Sequence, residues 1–284
     1  MNAELKLLND LTEQLDSTET PKIGFATKAK AGITRDHQRL GVLSASFNPL
    51  TNAHVEMCKL ATKEFGFDEV LFLLAKTNAD KAVFGMSLEK RMLMLKQFVE
   101  VDPEQNSYAV AACSHGRFVD KALALNRTYP PHTQLYFLLG ADTLIRLFDP
   151  KYYDDMSADL GQLFELSQAV AFNRGRNNSL TIENLLEQPA AAPFASTVHI
   201  LDLGGDYAQI SSTETRNRIQ RNEPIDNLVP NEVKRFISTH GLYIHEIDHV
   251  DVDPYHCPRC GGTCVTIQGQ PSCTQCGYKD ACCF

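Results

Sequence analysis

From Arg39 onward the chain alternates two hydrophobic patterns. Six short runs are apolar at nearly every position: LGVLSASF (Leu40 to Phe47), EVLFLLA (Glu69 to Ala75), YAVAAC (Tyr108 to Cys113), QLYFLLG (Gln134 to Gly140), QAVAFNR (Gln168 to Arg174) and TVHILDL (Thr197 to Leu203). Such runs predict strands buried on both faces. Between and after them, apolar residues return at helical spacing over Asn52 to Phe65, Ser87 to Val101, Phe118 to Asn126, Ser212 to Arg221 and Pro230 to His240. Ser87 is placed to cap its helix and Pro103 to close it. Continuous strands alternating with helices predict an α/β domain, a parallel sheet with helices on both faces. Ligands of such sheets sit at the carboxyl ends of the strands.

The flanks follow other patterns. Ala3 to Leu15 carries Leu5, Leu8, Leu11 and Leu15 at helical spacing and predicts an amphipathic helix, while the polar stretch Asp16 to His37 reads as a connector. The formal net charge of −8 argues against a nucleic-acid coat, which needs clustered Lys and Arg, but leaves room for a small anionic substrate. No stretch approaches the ~20 apolar residues of a membrane span and the first residues lack signal-peptide shape, so a cytoplasmic protein is expected. Cysteine usage agrees, since seven of the nine cysteines crowd into residues 257–284 as paired C-x-x-C units, a pattern of metal binding rather than of disulfides.

Two stretches carry chemistry. SFNPLTNAHVEM (Ser46 to Met57) ends a predicted strand and opens a helix, with Thr51 placed as cap, Pro49 shaping the bend and His54 in the first turn. The free N–H groups of that helix start would suit an anion, with the imidazole as an added donor. ISSTETR (Ile210 to Arg216) repeats the device with Ser211, Ser212 and Thr213 at a helix start and Arg216 about one turn on. One hydroxyl is enough for a cap, whereas three hydroxyls and a guanidinium fit several phosphate oxygens.

The pair SFNPLTNAH and ISSTETR resembles the signature of the nucleotidyltransferases with [HT]-x-G-H and I-S-S-T-x-x-R motifs. Within that group the chain most resembles the nicotinamide/nicotinate mononucleotide adenylyltransferases. LLGADTLIRLFDPKYY (Leu138 to Tyr153) resembles their G-x-D motif, ADKAVFGMSLEKRMLML (Ala79 to Leu95) their Lys-containing loop and R-x-x-M helix, and LVPNEVKRFISTHGLY (Leu228 to Tyr243) their C-terminal helix. The resemblance implies a Rossmann-like fold and transfer of AMP from ATP to a pyridine mononucleotide, with magnesium arriving on the ATP. It assigns catalysis to His54, Thr51 and Arg216. ATP would be held by Ser46, Phe47, His54, Lys81, Gly140, Asp142, Ser212, Thr213 and Arg216, and the mononucleotide by Asn48, Phe118, Tyr153 and Arg174. Phe118 and Tyr153 would replace the ring-stacking tryptophans of eukaryotic members, because this chain has no Trp. Ala53 stands where the family's T-x-G-H has Gly, and Ala45 where a Gly usually admits the nucleotide.

In the tail, Cys257, Cys260, Cys273 and Cys276 form two C-x-x-C knuckles, each followed by Gly, and their spacer reads as a hairpin. Four thiolates at this spacing predict a structural zinc ribbon, with Cys264, Cys282 and Cys283 surplus. The ribbon could meet nucleic acid, a protein partner or its own enzyme domain. HEIDH (His245 to His249) satisfies H-E-x-x-H but lies in an acidic stretch without helix formers, so it reads as linker. The expected division is an N-terminal extension (1–38), a nucleotidyltransferase domain (39–245), an acidic linker (246–256) and a zinc ribbon (257–284). Competing readings are a pantetheine-phosphate-type adenylyltransferase or cytidylyltransferase, and a nucleotide sensor or scaffold that binds ATP without releasing pyrophosphate.

Overall fold

A computed structural model describes residues 2–76, 86–101, 107–173, 182–244, 264–267 and 270–273. In chain order its main helices are α1 (Asn2–Glu13), α2 (Asn52–Phe65), α3 (Leu88–Val101), α4 (Phe118–Thr128), α5 (Ala141–Leu147), α6 (Met156–Leu166), α7 (Ser212–Gln220) and α8 (Asn231–Thr239). The strands are β1 (Ile23–Thr27), β2 (Arg39–Ser44), β3 (Glu69–Ala75), β4 (Tyr108–Cys113), β5 (Gln134–Gly140), β6 (Ser167–Asn173), β7 (Val198–Asp202), β8 (Cys264–Ile267) and β9 (Gln270–Cys273).

Seven strands form one sheet in the order β1-β4-β3-β2-β5-β6-β7. All neighbours run parallel except β1, which pairs antiparallel with β4, Ile23 facing Cys113. Side chains alternate between two cores, as the pleat requires. Along β3, Val70, Phe72 and Leu74 enter the core under α1, α2, α3 and α8, whereas Leu71 and Leu73 enter the one under α4, α5 and α6. The expected Rossmann-like α/β sheet, covered on both faces, is what the chain forms.

Successive connections move outward from β2 through β3 to β4 on one side and through β5 to β7 on the other. The order therefore reverses between β2 and β5, whose pairing sets Leu43 beside Leu138. A crevice opens at such a switch point, above the carboxyl ends of the two strands.

Three expectations need correction. The stretch 16–37, read as a connector, holds β1, which closes the sheet edge, while α1 packs on α3 with Thr12 Oγ1 donating to Glu89 at 3.1 Å. Gly24 permits that layering, since a Cβ there would lie 3.2 Å from Leu11. Next, β2 ends at Ser44 rather than Phe47, and Phe47 takes a left-handed φ of 47°, unfavourable for a bulky residue. Its ring is fully buried edge-on against Phe72, and that packing holds the turn in place. Finally, α6 falls where the pattern predicts no element; Asp155 caps it by accepting from the Ala158 amide at 3.0 Å.

Candidate active site

The loop after β2 lies in the crevice and is clamped from three directions. Arg91, from α3 and 3 % exposed, donates to the Ser46 carbonyl at 2.8 Å. From α7, Arg216 donates to the Asn48 carbonyl at 2.7 Å and Ser212 to the Pro49 carbonyl at 2.8 Å. From beyond α8, the buried Tyr243 hydroxyl donates to Asn48 Oδ1 at 2.7 Å. Burial pushes the Tyr243 phenol up, against the pull of the Arg216 and Arg91 guanidinium groups, so it stays a neutral donor. The SFNPLTNAH and ISSTETR stretches thus meet through direct hydrogen bonds. Two guanidinium groups converge on a loop of backbone carbonyls, which suits a polyanionic ligand.

His54 is set within this loop by its own helix cap. The Thr51 backbone N–H lies 3.1 Å from His54 Nδ1, and the Thr51 hydroxyl 2.7 Å from the same nitrogen. An amide N–H can only donate, so Nδ1 accepts and the ring proton sits on Nε2, which becomes a fixed donor. Phe47 backs the ring at a centroid distance of 5.5 Å. The helix start is less open than its sequence implies. Asn52 N–H is taken by the Leu228 carbonyl at 2.9 Å, so the imidazole supplies donor capacity that this backbone amide cannot.

Ser211 caps α7 by accepting from the Glu214 amide at 3.1 Å, which leaves Thr213 to receive Arg216 Nη2 at 3.3 Å. Gly140 ends β5, beside β2, and is the cap residue of α5; Asp142 is exposed in the first turn of that helix. Phe118 and Tyr153 come together farther along the same edge. Both line a small pocket with an internal space of about 20 Å³, together with Leu147, Tyr152 and Leu160, and Phe118 is itself buried. Phe118 packs edge-on against Phe137 at 5.2 Å, and Tyr153 donates to the Leu147 carbonyl at 2.6 Å. Lys81, Arg174, Cys257, Cys260 and Cys276 lie outside the described residues, as does HEIDH, while Cys273 ends β9.

Comparison with known proteins agrees with this geometry. The cytidylyltransferase-like family profile matches residues 42–218. A Schizosaccharomyces pombe protein assigned as a nicotinamide mononucleotide adenylyltransferase is 31% identical over 218 residues, covering 72% of this chain and 86% of its own. The chain belongs to the nicotinamide/nicotinate mononucleotide adenylyltransferase family. A Desulfotalea psychrophila relative assigned as a nicotinate-nucleotide adenylyltransferase is 27% identical over 224 residues, covering 72% of this chain and all of its own. Among solved structures, Plasmodium falciparum nicotinic acid mononucleotide adenylyltransferase complexed with NaAD shares the fold. Its TM-score is 0.56 at 15% identity, and the match covers 73% of this chain and 98% of that one.

For this adenylyltransferase-family chain, reading the sequence missed Arg91 and Tyr243 as clamp residues. Arg91 follows Glu89 and Lys90 at the start of α3, where one more charge looks like a solvent residue; only its burial beneath Ser46 reveals the contact. The available signal was its place as the Arg of the R-x-x-M pattern, followed by Met92, Leu93 and Leu95, all of them buried.

Proposed function

We propose that the crevice transfers AMP from ATP to the 5′-phosphate of nicotinamide or nicotinate mononucleotide. The mononucleotide oxygen attacks the α-phosphorus in line, the bond to the bridging oxygen breaks, and pyrophosphate leaves with the charge. The attacking phosphate is already an anion, so no nucleophilic side chain or general base is required. Catalysis then reduces to positioning and neutralising charge. The observation that carries this reading is the clamp that ties Ser212 and Arg216 to the Asn48–Pro49 carbonyls beside His54.

In this reading His54 Nε2–H donates to ATP phosphate oxygens as charge develops, and Thr51 holds the imidazole. Ser212, Thr213 and Arg216 take the departing pyrophosphate. Ser46 and Phe47 shape the triphosphate cradle, Gly140 and Asp142 receive the adenosine side, and Lys81 adds a phosphate contact. Asn48, Phe118, Tyr153 and Arg174 serve the mononucleotide. Among the described residues no group of three His, Cys, Asp or Glu side chains could hold a metal ion. Magnesium is proposed to enter bound to ATP oxygens.

The tail is proposed as a structural zinc ribbon held by Cys257, Cys260, Cys273 and Cys276. The hairpin supports it. Cys264 and Cys273 pair at one end of the ladder. Zinc there would be closed and non-catalytic. The proposed boundaries keep 39–245 as the catalytic domain, 246–256 as a linker and 257–284 as the ribbon, with 1–38 as an extension that packs α1 on α3 and adds β1 to the sheet edge. No helix among the described residues is long and apolar enough to cross a membrane. The buried free thiols Cys58 and Cys113 fit a reducing compartment, and the cytoplasm is the proposed location.

The test is pyrophosphate release from MgATP with each mononucleotide offered separately. Release with either is expected, reduced ~10²-fold or more by His54→Ala with the fold intact. ATP binding without release would replace transfer by a sensor role, and a near-normal rate in His54→Ala would remove the imidazole from the mechanism.

A further inference from the structure

Phe47, at φ 47°, and Tyr243, at φ 66°, both hold left-handed backbone, an unfavourable conformation for large aromatic residues. One residue joins them. Asn48 follows Phe47 in the chain and accepts from the Tyr243 hydroxyl through Oδ1 at 2.7 Å. Tyr243 is itself held firmly. It follows the turn that ends α8, where the Leu242 amide donates to the Ile237 carbonyl at 3.1 Å, and its ring is buried in the same core as Val229, Val233 and Phe236. The Arg216 and Arg91 charges act on the phenol oxygen, so its lone pairs turn towards them and its proton goes to Asn48.

We propose that the Tyr243 hydroxyl is a positioning group for adenylyl transfer: through Asn48 it holds the strained turn at Phe47 and so aims the loop that carries Thr51 and His54. The inference rests on the adenylyl-transfer reading and deepens it. The turn has three restraints: Arg91 on the Ser46 carbonyl at 2.8 Å, Arg216 on the Asn48 carbonyl at 2.7 Å, and Tyr243 on the Asn48 side chain. They are not equivalent. Arg216 also faces the proposed pyrophosphate, so its grip on the loop competes with ligand oxygens. A buried, neutral phenol has far less pull towards a polyanion than a guanidinium, so this tether persists while charge moves from ATP to the leaving group. Removing it deprives a buried amide oxygen of a donor and releases one side of a strained turn, which corresponds to about a tenfold effect.

The test uses the full chain with Tyr243→Phe, which keeps the ring and loses the hydroxyl, Asn48→Ala, and the two combined. One readout is kcat and KM for pyrophosphate release from MgATP and each mononucleotide. The other is hydrogen exchange of the loop amides over 44–54, which needs no turnover. Tyr243→Phe is expected to lower kcat about tenfold with both KM values within about threefold, a split that a general folding defect would not give. Because the hydroxyl acts through Asn48, Tyr243→Phe should cost less than about twofold more in the Asn48→Ala background. Exchange should quicken over 44–54 and stay unchanged in β5 and β6. A Tyr243→Phe kcat within about twofold of wild type, a full second tenfold loss in the double variant, or unchanged exchange over 44–54 overturns the inference. A wild-type chain that releases no pyrophosphate would strike the transfer reading alone. Exchange would then decide for the tether, a rise confined to 44–54 upholding it and no rise overturning it.

Discussion

Arg216 offers the sharpest test of the clamp, because charge and geometry can be removed separately. Its Nη1 holds the Asn48 carbonyl at 2.7 Å and its Nη2 meets Thr213 Oγ1 at 3.3 Å, while the group as a whole faces the proposed pyrophosphate. Arg216→Met removes both the cation and the tether. A preorganised donor aimed at developing charge is worth about 3–4 kcal/mol, so kcat should fall by 10² to 10³-fold. Arg216→Lys keeps the cation but not the planar fork that serves two partners at once. Losing one charged hydrogen bond costs about 1.5–3 kcal/mol, so a fall of roughly 10 to 10²-fold is expected. The assay is steady-state pyrophosphate release with ATP and mononucleotide varied in turn. The loss should fall on kcat more than on the KM for ATP, since charge accumulates on the leaving group in the transition state. Thermal unfolding of both variants would confirm the fold. Arg216→Met within threefold of the wild-type rate would refute the reasoning, as would equal losses in the two variants.

Two further outcomes are expected. Asp68 accepts from the Arg39 amide at 2.8 Å and from Gln38 Nε2 at 2.9 Å. Burial pushes its carboxyl up, but these hydrogen bonds and the Arg35 and Arg39 charges outweigh it and hold the pKa below 3.8. A depressed folded pKa contributes stability that is present above the ordinary carboxylate range and lost as pH falls through the folded value. Asp68→Asn should therefore cost about 1–2 kcal/mol in denaturant unfolding at neutral pH and progressively less as pH falls below the ordinary carboxylate range; a cost that does not shrink with falling pH would contradict the assignment. In the tail, the full chain should carry about one zinc, and the Cys257→Ser/Cys260→Ser double variant should lose it; unchanged metal content would remove these ligands.

How much of this was legible in the sequence depends on where each element's information resides. Strands β3, β4 and β5 were readable to the residue because both faces are buried, so nearly every position is apolar. The same pattern, followed by hydroxyls, a His and an Arg at helix starts, exposed the phosphate motifs, since a packed core has no use for those groups there. Strand β1 lacks such a signal: all five of its residues are half-buried, so neither alternation nor a continuous apolar run marks it. Its position is set by an edge 90 residues later, where Ser114 receives the Lys22 amide at 3.0 Å. The clamp was hidden for the same reason. Arg91 and Tyr243 carry no local pattern that names Ser46 and Asn48 as partners, and those contacts exist only once α3 and the chain beyond α8 have packed on one face. A motif announces what a ligand needs from its own few residues. The groups that hold the motif rigid answer to tertiary geometry, and their own neighbours in the sequence do not name their partners.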